Sequence, residues 1–344
     1  MKITVVGAGA MGSLLAARLT LAMRSHASEP GAAPELERVL LYGRSSDHLD
    51  AIRDHGLELT ERDGQVTRTR LDVTSDPAEV KGSDVVVVLV KAWATEEAVA
   101  PLRDYVSRDT IALTLQNGLG NASALRRALM KNGARPHVWL GVTTQAAVRT
   151  EPGKVTHTTD GITAIGRRTP LVNDALSGLA AAFTDNGWRT VAVADIHRWV
   201  WRKLAINCAI NPLTALAGVP NHAMSTDQDL RLAAMEVIEE VVEVAASQGV
   251  RLNADVLGDL LEGVARSAGN PYSSMYVDLE QGLRTEIDAI NGQVVRHAKR
   301  ANIPVPANTL LTRLVRAHER GHRPASGSKE GPLYTPRADV HGQA

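Results

Sequence analysis

Close to the N-terminus, a β-branched apolar run at residues 3–6 leads directly into Gly7-Ala8-Gly9-Ala10-Met11-Gly12. An apolar helical pattern follows, with Leu14, Leu15, Ala17, Leu19 and Leu21. A strand, three spaced glycines and a helix in immediate succession leave few folds open. Gly7 permits a tight turn, Gly9 lets the backbone approach a pyrophosphate, and Gly12 lets helix and strand lie close together. Ala10 and Met11 fall in the first turn of the helix, where unpaired N–H groups face an anion. An ordinary glycine-rich turn is the bland alternative. The further strand at 39–42 supplies the context that the dinucleotide-binding fingerprint requires.

The end of that second strand bears on the choice of cofactor. A site for NADH usually places Asp or Glu there, to hold the ribose 2′-hydroxyl. This chain has Tyr42-Gly43-Arg44-Ser45-Ser46, and its first carboxylate, Asp47, comes late. An arginine fork attracts a 2′-phosphate and a carboxylate repels it, so NADPH is the expected cofactor. A solvated loop residue is the other reading of Arg44.

Periodicity divides the chain. Strands and helices alternate up to residue 194. The clearest strand, 84–90, is apolar on both faces, as in a parallel sheet covered on both sides. Residues 57–60 and 66–71 flank Asp63-Gly64 as a hairpin. Residues 138–149, 154–157 and 162–165 read as antiparallel strands, 170–186 as a helix and 189–193 as a last strand. After Asp195, the segments 196–210, 230–248, 254–265, 273–300 and 308–320 carry helical spacing. The expected fold class is α/β, a Rossmann-type dinucleotide-binding domain over 1–194 followed by an all-α domain over 195–321. The Gly-, Pro- and Ser-rich tail, 322–344, is expected to be disordered.

Composition narrows the function. The 344 residues carry 38 basic and 38 acidic side chains, a net charge of zero, and only 3% aromatics. That balance argues against a nucleic-acid partner. One cysteine excludes a multi-thiolate metal site, the histidines are scattered, and no metal is expected. No stretch reads as a signal peptide or a membrane span, so a cytoplasmic enzyme is expected.

Ligands of open parallel sheets sit beyond the carboxyl ends of the strands. Two such ends carry polar groups, Lys91 after one strand and Asn117 after the next, although Asn117-Gly118 also suits a simple turn. Farther on, Lys203, Asn207 and Asn211 recur every four residues on an otherwise apolar helix. Buried amides and a buried lysine are costly unless a polar ligand or partner meets them. Burial also lowers a lysine's pKa toward the range of a general acid. Asn211, before Pro212, alternatively ends the helix. Glu286 falls at the edge of an apolar stripe formed by Leu279, Leu283, Ile287, Ile290 and Val294, as a counter-charge. Ser273 or Ser274 caps the same helix or meets a substrate carboxylate.

Together these motifs resemble the ketopantoate reductase family over roughly residues 1–320. They are Gly-Ala-Gly-Ala-Met-Gly at 7–12, Val-Lys-Ala-Trp at 90–93, Gln-Asn-Gly-Leu-Gly at 116–120, the helix from Trp201, Ser-Ser-Met at 273–275 and Thr-Glu-Ile-Asp-Ala-Ile-Asn-Gly at 285–292. The resemblance implies NADPH-dependent reduction of 2-dehydropantoate to pantoate. It implies Lys203 as general acid and Glu286 as a catalytic, substrate-orienting group. It puts Asn117, Asn207, Asn211, Asn221 and Ser274 around substrate or cofactor, and Arg44 and Lys91 on the cofactor side. The connection 25–37 is long for that family. A same-fold reductase of another 2-oxo acid and a non-catalytic NADPH sensor are the rival readings. The helical half has surface enough for a homodimer.

Overall fold

The computed structural model describes residues 1–26, 36–130, 136–169, 171–266 and 272–321. Most of the long 25–37 connection and the 322–344 tail lie outside the described residues.

The chain begins with β1 (Lys2–Val6), α1 (Ala10–His26), β2 (Arg38–Tyr42) and α2 (Asp47–His55). Next come β3 (Leu57–Thr60), β4 (Val66–Thr69), β5 (Asp72–Thr74) and β6 (Val85–Val88). The short α3 (Thr95–Val99) leads to β7 (Ile111–Thr114) and α4 (Asn121–Leu129). Four strands follow, β8 (His137–Thr143), β9 (Ala146–Glu151), β10 (Lys154–Thr159) and β11 (Thr163–Gly166), then α5 (Asp174–Asp185) and β12 (Thr190–Ala192).

Eight strands form one sheet in the order β12-β11-β8-β7-β6-β1-β2-β5. From β8 to β5 every neighbouring pair is parallel, and β11 joins β8 antiparallel. The four valines of β6 are all buried, as a strand covered on both faces requires. The strand order reverses at β1, which lies between β2 and β6. The glycine turn after β1 therefore opens at the switch point where such sheets bind ligands.

A second sheet, β4-β3-β10-β9, sits apart from the first. The hairpin around Asp63-Gly64 is there as β3 and β4. The segment 138–149 is not one strand. It divides at Thr144-Gln145 into β8 of the large sheet and β9 of the small one. Side chains make that corner. Thr143 Oγ1 accepts from the Gln145 amide at 3.2 Å, and the Gln145 side chain donates to the Gly161 carbonyl at 2.9 Å. The helix expected over 170–186 is shorter, capped by the Asn173 side chain.

From Asp195 onward the described elements are all helices: α6 (Ile196–Ala217), α7 (Ala223–Thr226), α8 (Gln228–Ser247), α9 (Ala254–Arg266), α10 (Ser274–Glu280), α11 (Asn291–Ala301) and α12 (Pro306–Gly321). Their apolar faces share one buried cluster, separate from the clusters on the two faces of the large sheet.

Two helix expectations are corrected. The helix that starts at Ile196 does not end at residue 210. It runs through Pro212 and stops at Gly218, whose φ of 68° is the left-handed cap. The stretch 273–300 is not one helix either. Gly282, at φ 65°, ends α10, and the N–H of Leu283 folds back to the Asp278 carbonyl at 2.8 Å. Glu319 of α12 then receives the Thr285 N–H and hydroxyl at 2.8 and 2.6 Å. Residues 281–290 thus form a strap between helices, and Glu286 lies on the strap rather than on a helical stripe.

Candidate active site

The glycine turn is built by contact. Gly7, at φ 115°, donates its N–H to the Tyr42 carbonyl at 2.9 Å, tying the ends of β1 and β2. A Cβ on Gly12 would stand 1.9 Å from the Gly7 carbonyl oxygen, so only glycine lets α1 start so close to β1. Gly9 differs, being exposed with nothing within 4 Å of a Cβ position. The open space above it, at the start of a 17-residue helix, is where a pyrophosphate fits. Arg44 stands on the neighbouring loop, 80% exposed, with its guanidinium 3.6 Å from Glu97. Ser46 caps α2 and accepts from the Leu49 N–H at 3.3 Å.

Beside this turn the ends of β6 and β7 open into a cleft of about 1120 Å³. Gln116 pins the two ends together. Its amide donates to the Val90 carbonyl at 2.8 Å and to the Thr95 hydroxyl at 2.7 Å. Gly118, at φ 81°, lies so close to the strap that a Cβ would stand 2.2 Å from the Ala289 carbonyl oxygen. The next N–H, of Leu119, donates to that same oxygen at 2.8 Å.

The strap delivers Glu286, whose carboxylate is buried. One oxygen accepts from the backbone N–H of Ala92 at 2.8 Å, the other from the Asn117 side chain at 3.3 Å. Glu286 therefore joins both strand ends to the helical half. Lys91 makes a second junction, 2.6 Å from the buried carboxylate of Asp278 on α10. Burial outweighs the Lys91 partner and pushes the Asp278 carboxyl up to about 6. Burial works against the charge of Lys91 too, but Asp278 and Glu286 together hold that amine above its ordinary value.

Across the cleft, α6 presents Lys203 and Asn207. The ammonium of Lys203 donates to the Thr143 carbonyl at 2.6 Å. Burial lowers its pKa from 10.5 to about 8, against the opposing charge of Glu286. A cation that gives up its proton near neutral pH, in a cleft that also holds an amide and a carboxylate, is equipped to protonate a developing alkoxide. At the rim, the Arg284 guanidinium lies over the Trp93 ring, 5.3 Å from its centre.

Lys203, Asn207, Asn117 and Glu286 thus line one cleft. The other expected substrate residues stand apart from its lining. Asn211 is buried, and its carbonyl accepts from the Ser273 hydroxyl at 3.4 Å. Asn221 follows the end of α6, and Ser274 is exposed in the first turn of α10. Ser273, not Ser274, caps α10, accepting from the Tyr276 N–H at 3.2 Å. Asp278, Gln116 and the Thr143 carbonyl escape sequence reasoning. For Asp278 the one signal is an acid set between Tyr276 and Leu279 on a short apolar helix. The lone cysteine, Cys208, is buried in α6, and burial raises its thiol pKa.

Comparison with known proteins bears on both halves. Residues 3–170 match the family model for ketopantoate reductase PanE/ApbA, and residues 195–319 match the model for its C-terminal part. A 2-dehydropantoate 2-reductase of Halobacterium salinarum is 36% identical over 320 residues, covering 93% of this chain and 99% of the relative. That of Escherichia coli O157:H7 is 32% identical, covering 93% and 95%. Among solved structures, a PanE/ApbA family ketopantoate reductase from Ralstonia eutropha JMP134 superimposes with a TM-score of 0.80 at 30% identity, covering 94% of this chain and 99% of that one. The ternary complex of a D-mandelate dehydrogenase with NADH and anilino(oxo)acetate gives 0.81 at 25% identity, covering 93% and 99%.

Proposed function

Since this chain belongs to the ketopantoate reductase family, we propose that it reduces 2-dehydropantoate to pantoate for pantothenate synthesis, with NADPH as reductant and Lys203 as acid. The observation that carries this reading is the partly desolvated Lys203 in a cleft shared with Asn117, Asn207 and Glu286. The division of labour places the cofactor on residues 1–194 and the acid on 195–321.

The residues present fit a dinucleotide: open space over Gly9, a helix start at Ala10 and Met11, and an exposed arginine at the end of β2. Gly7, Gly9, Ala10, Met11 and Gly12 would hold the pyrophosphate, Arg44 the 2′-phosphate, and Lys91 and Asn117 the nicotinamide end. When bound, the nicotinamide supplies a hydride to the 2-oxo carbon. Lys203 holds the substrate's carbonyl oxygen and gives it a proton as charge develops there. Asn207 orients the same oxygen or the neighbouring carboxylate. Glu286, fixed by Ala92 and Asn117, places its charge where a substrate hydroxyl donates. Asn211, Asn221 and Ser274 act at closer quarters only if the cleft narrows on the bound substrate, a closure that also excludes water.

NADPH oxidation followed at 340 nm, with 2-dehydropantoate beside a panel of other 2-oxo acids, tests the reading. Turnover is expected with 2-dehydropantoate, faster with NADPH than with NADH. Arg44→Ala is expected to raise the KM for NADPH at least tenfold and leave that for NADH nearly unchanged. Equal use of both cofactors by the parent enzyme would remove NADPH from the proposal. A preference for an aromatic oxo acid would replace the substrate.

A further inference from the structure

The catalytic helix contains a proline, and the structure has an unusual answer to it. Pro212 lies inside α6, with helix on both sides. A proline there lacks the N–H that would bond the carbonyl four residues back, and its ring crowds that carbonyl. The carbonyl belongs to Cys208, directly after Asn207. It is fully buried in the helical core, where an unmet acceptor is costly.

The missing donor comes from another element. Asn291, fully buried at the start of α11, donates its side-chain amide to the Cys208 carbonyl at 2.9 Å. The same amide reaches Asn308 Oδ1 at 3.0 Å. Asn308 in turn donates to Glu240 Oε2 at 2.8 Å, and Glu240 also accepts the N–H groups of Ala307 and Asn308 at 2.7 and 2.9 Å. The two carbonyls around the proline are met by hydroxyls: Ile210 by Thr214 at 2.7 Å and Asn211 by Ser273 at 3.4 Å. Asn291 alone among these groups sits at the end of the strap, five residues after Glu286. It thus touches both bodies that carry the site.

We infer that Asn291 is a positioning residue: its amide replaces the N–H that Pro212 lacks, and so fixes α6, with Lys203 and Asn207, against the strap that carries Glu286. The inference rests on the proposed reductase reading for its kinetic readout, but not for its physical content. If the amide stands in for an N–H, restoring that N–H makes the amide dispensable. Pro212→Ala restores it.

The experiment compares the parent, Asn291→Leu, Pro212→Ala and the double variant, measuring kcat, KM for oxo acid and NADPH, the pH profile and the melting temperature. Asn291→Leu is expected to lower kcat at least tenfold with the KM for NADPH unchanged. The alkaline limb of its kcat profile is expected to move up, as water reaches Lys203 and restores its basicity. Pro212→Ala stays within about twofold of the parent. The double variant regains most of the lost kcat, the original limb and the lost melting temperature. A double variant no better than Asn291→Leu overturns the inference, as does a normal kcat and limb in Asn291→Leu. If Asn291→Leu does not fold, a folded double variant supports the inference and an unfolded one overturns it. If the parent reduces no oxo acid, the reductase reading fails, and recovery of melting temperature in the double variant still decides the positional claim.

Discussion

Lys203 holds its charge under protest, because burial takes water from the ammonium while the Thr143 carbonyl and the field of Glu286 return part of what is lost. The sign of the resulting pH dependence follows. With a folded pKa of about 8 against 10.5, the unfolded chain binds more protons between those values, so stability rises with pH across that window. The charged form needed for acid catalysis fades over the same range, so kcat should fall above about pH 8. Lys203→Met removes both effects. It is expected to lose about 100-fold or more in kcat, the usual share of a general acid. At pH 7 it should melt about 2 °C higher, as relief of an unfavourable buried charge predicts for a chain of this size. Parallel assays of turnover and thermal unfolding check the pair, and a variant both inactive and less stable would contradict it.

At the level of elements, two glycines make opposite predictions. Gly118 is packed against the strap at positive φ, so Gly118→Ala should lower the melting temperature and weaken oxo-acid turnover together. Gly9 has open space around it, so Gly9→Ala should fold normally and lose affinity for NADPH alone. Calorimetric titration with NADPH separates the two. Both glycines were legible in the sequence, as was the four-residue spacing of Lys203 and Asn207, because turns and helix faces are local. The break at 281–290 was not. Leu279, Leu283, Ile287, Ile290 and Val294 keep helical spacing through it, and only Gly282 and the reach of Glu319 interrupt the helix. Continuation of α6 past Pro212 was hidden for a similar reason, since its remedy, Asn291, is 83 residues from the carbonyl it serves. Asp278 escaped notice because its partner, Lys91, belongs to the other half of the chain.

On the scale of the whole molecule, the strand half and the helical half are joined through the site itself: Lys91 to Asp278, Ala92 and Asn117 to Glu286, and Leu119 to Ala289. A ligand bound in the cleft should therefore stabilise the folded chain as a unit. NADPH at 100 times its Kd is expected to add about 2.7 kcal/mol, read as an upward shift in thermal unfolding. Lys203→Met should keep that shift and Gly9→Ala should lose most of it. The same junctions set an order of events during synthesis. Lys91 leaves the ribosome 187 residues ahead of Asp278. At roughly 5–20 residues per second, it waits on the order of 10–40 s for its carboxylate. For that interval the nascent chain carries its glycine turn and both strand ends without the strap, and for more than half of it without Lys203. Cofactor recognition can emerge with the first half of the chain, whereas chemistry must await the last few helices.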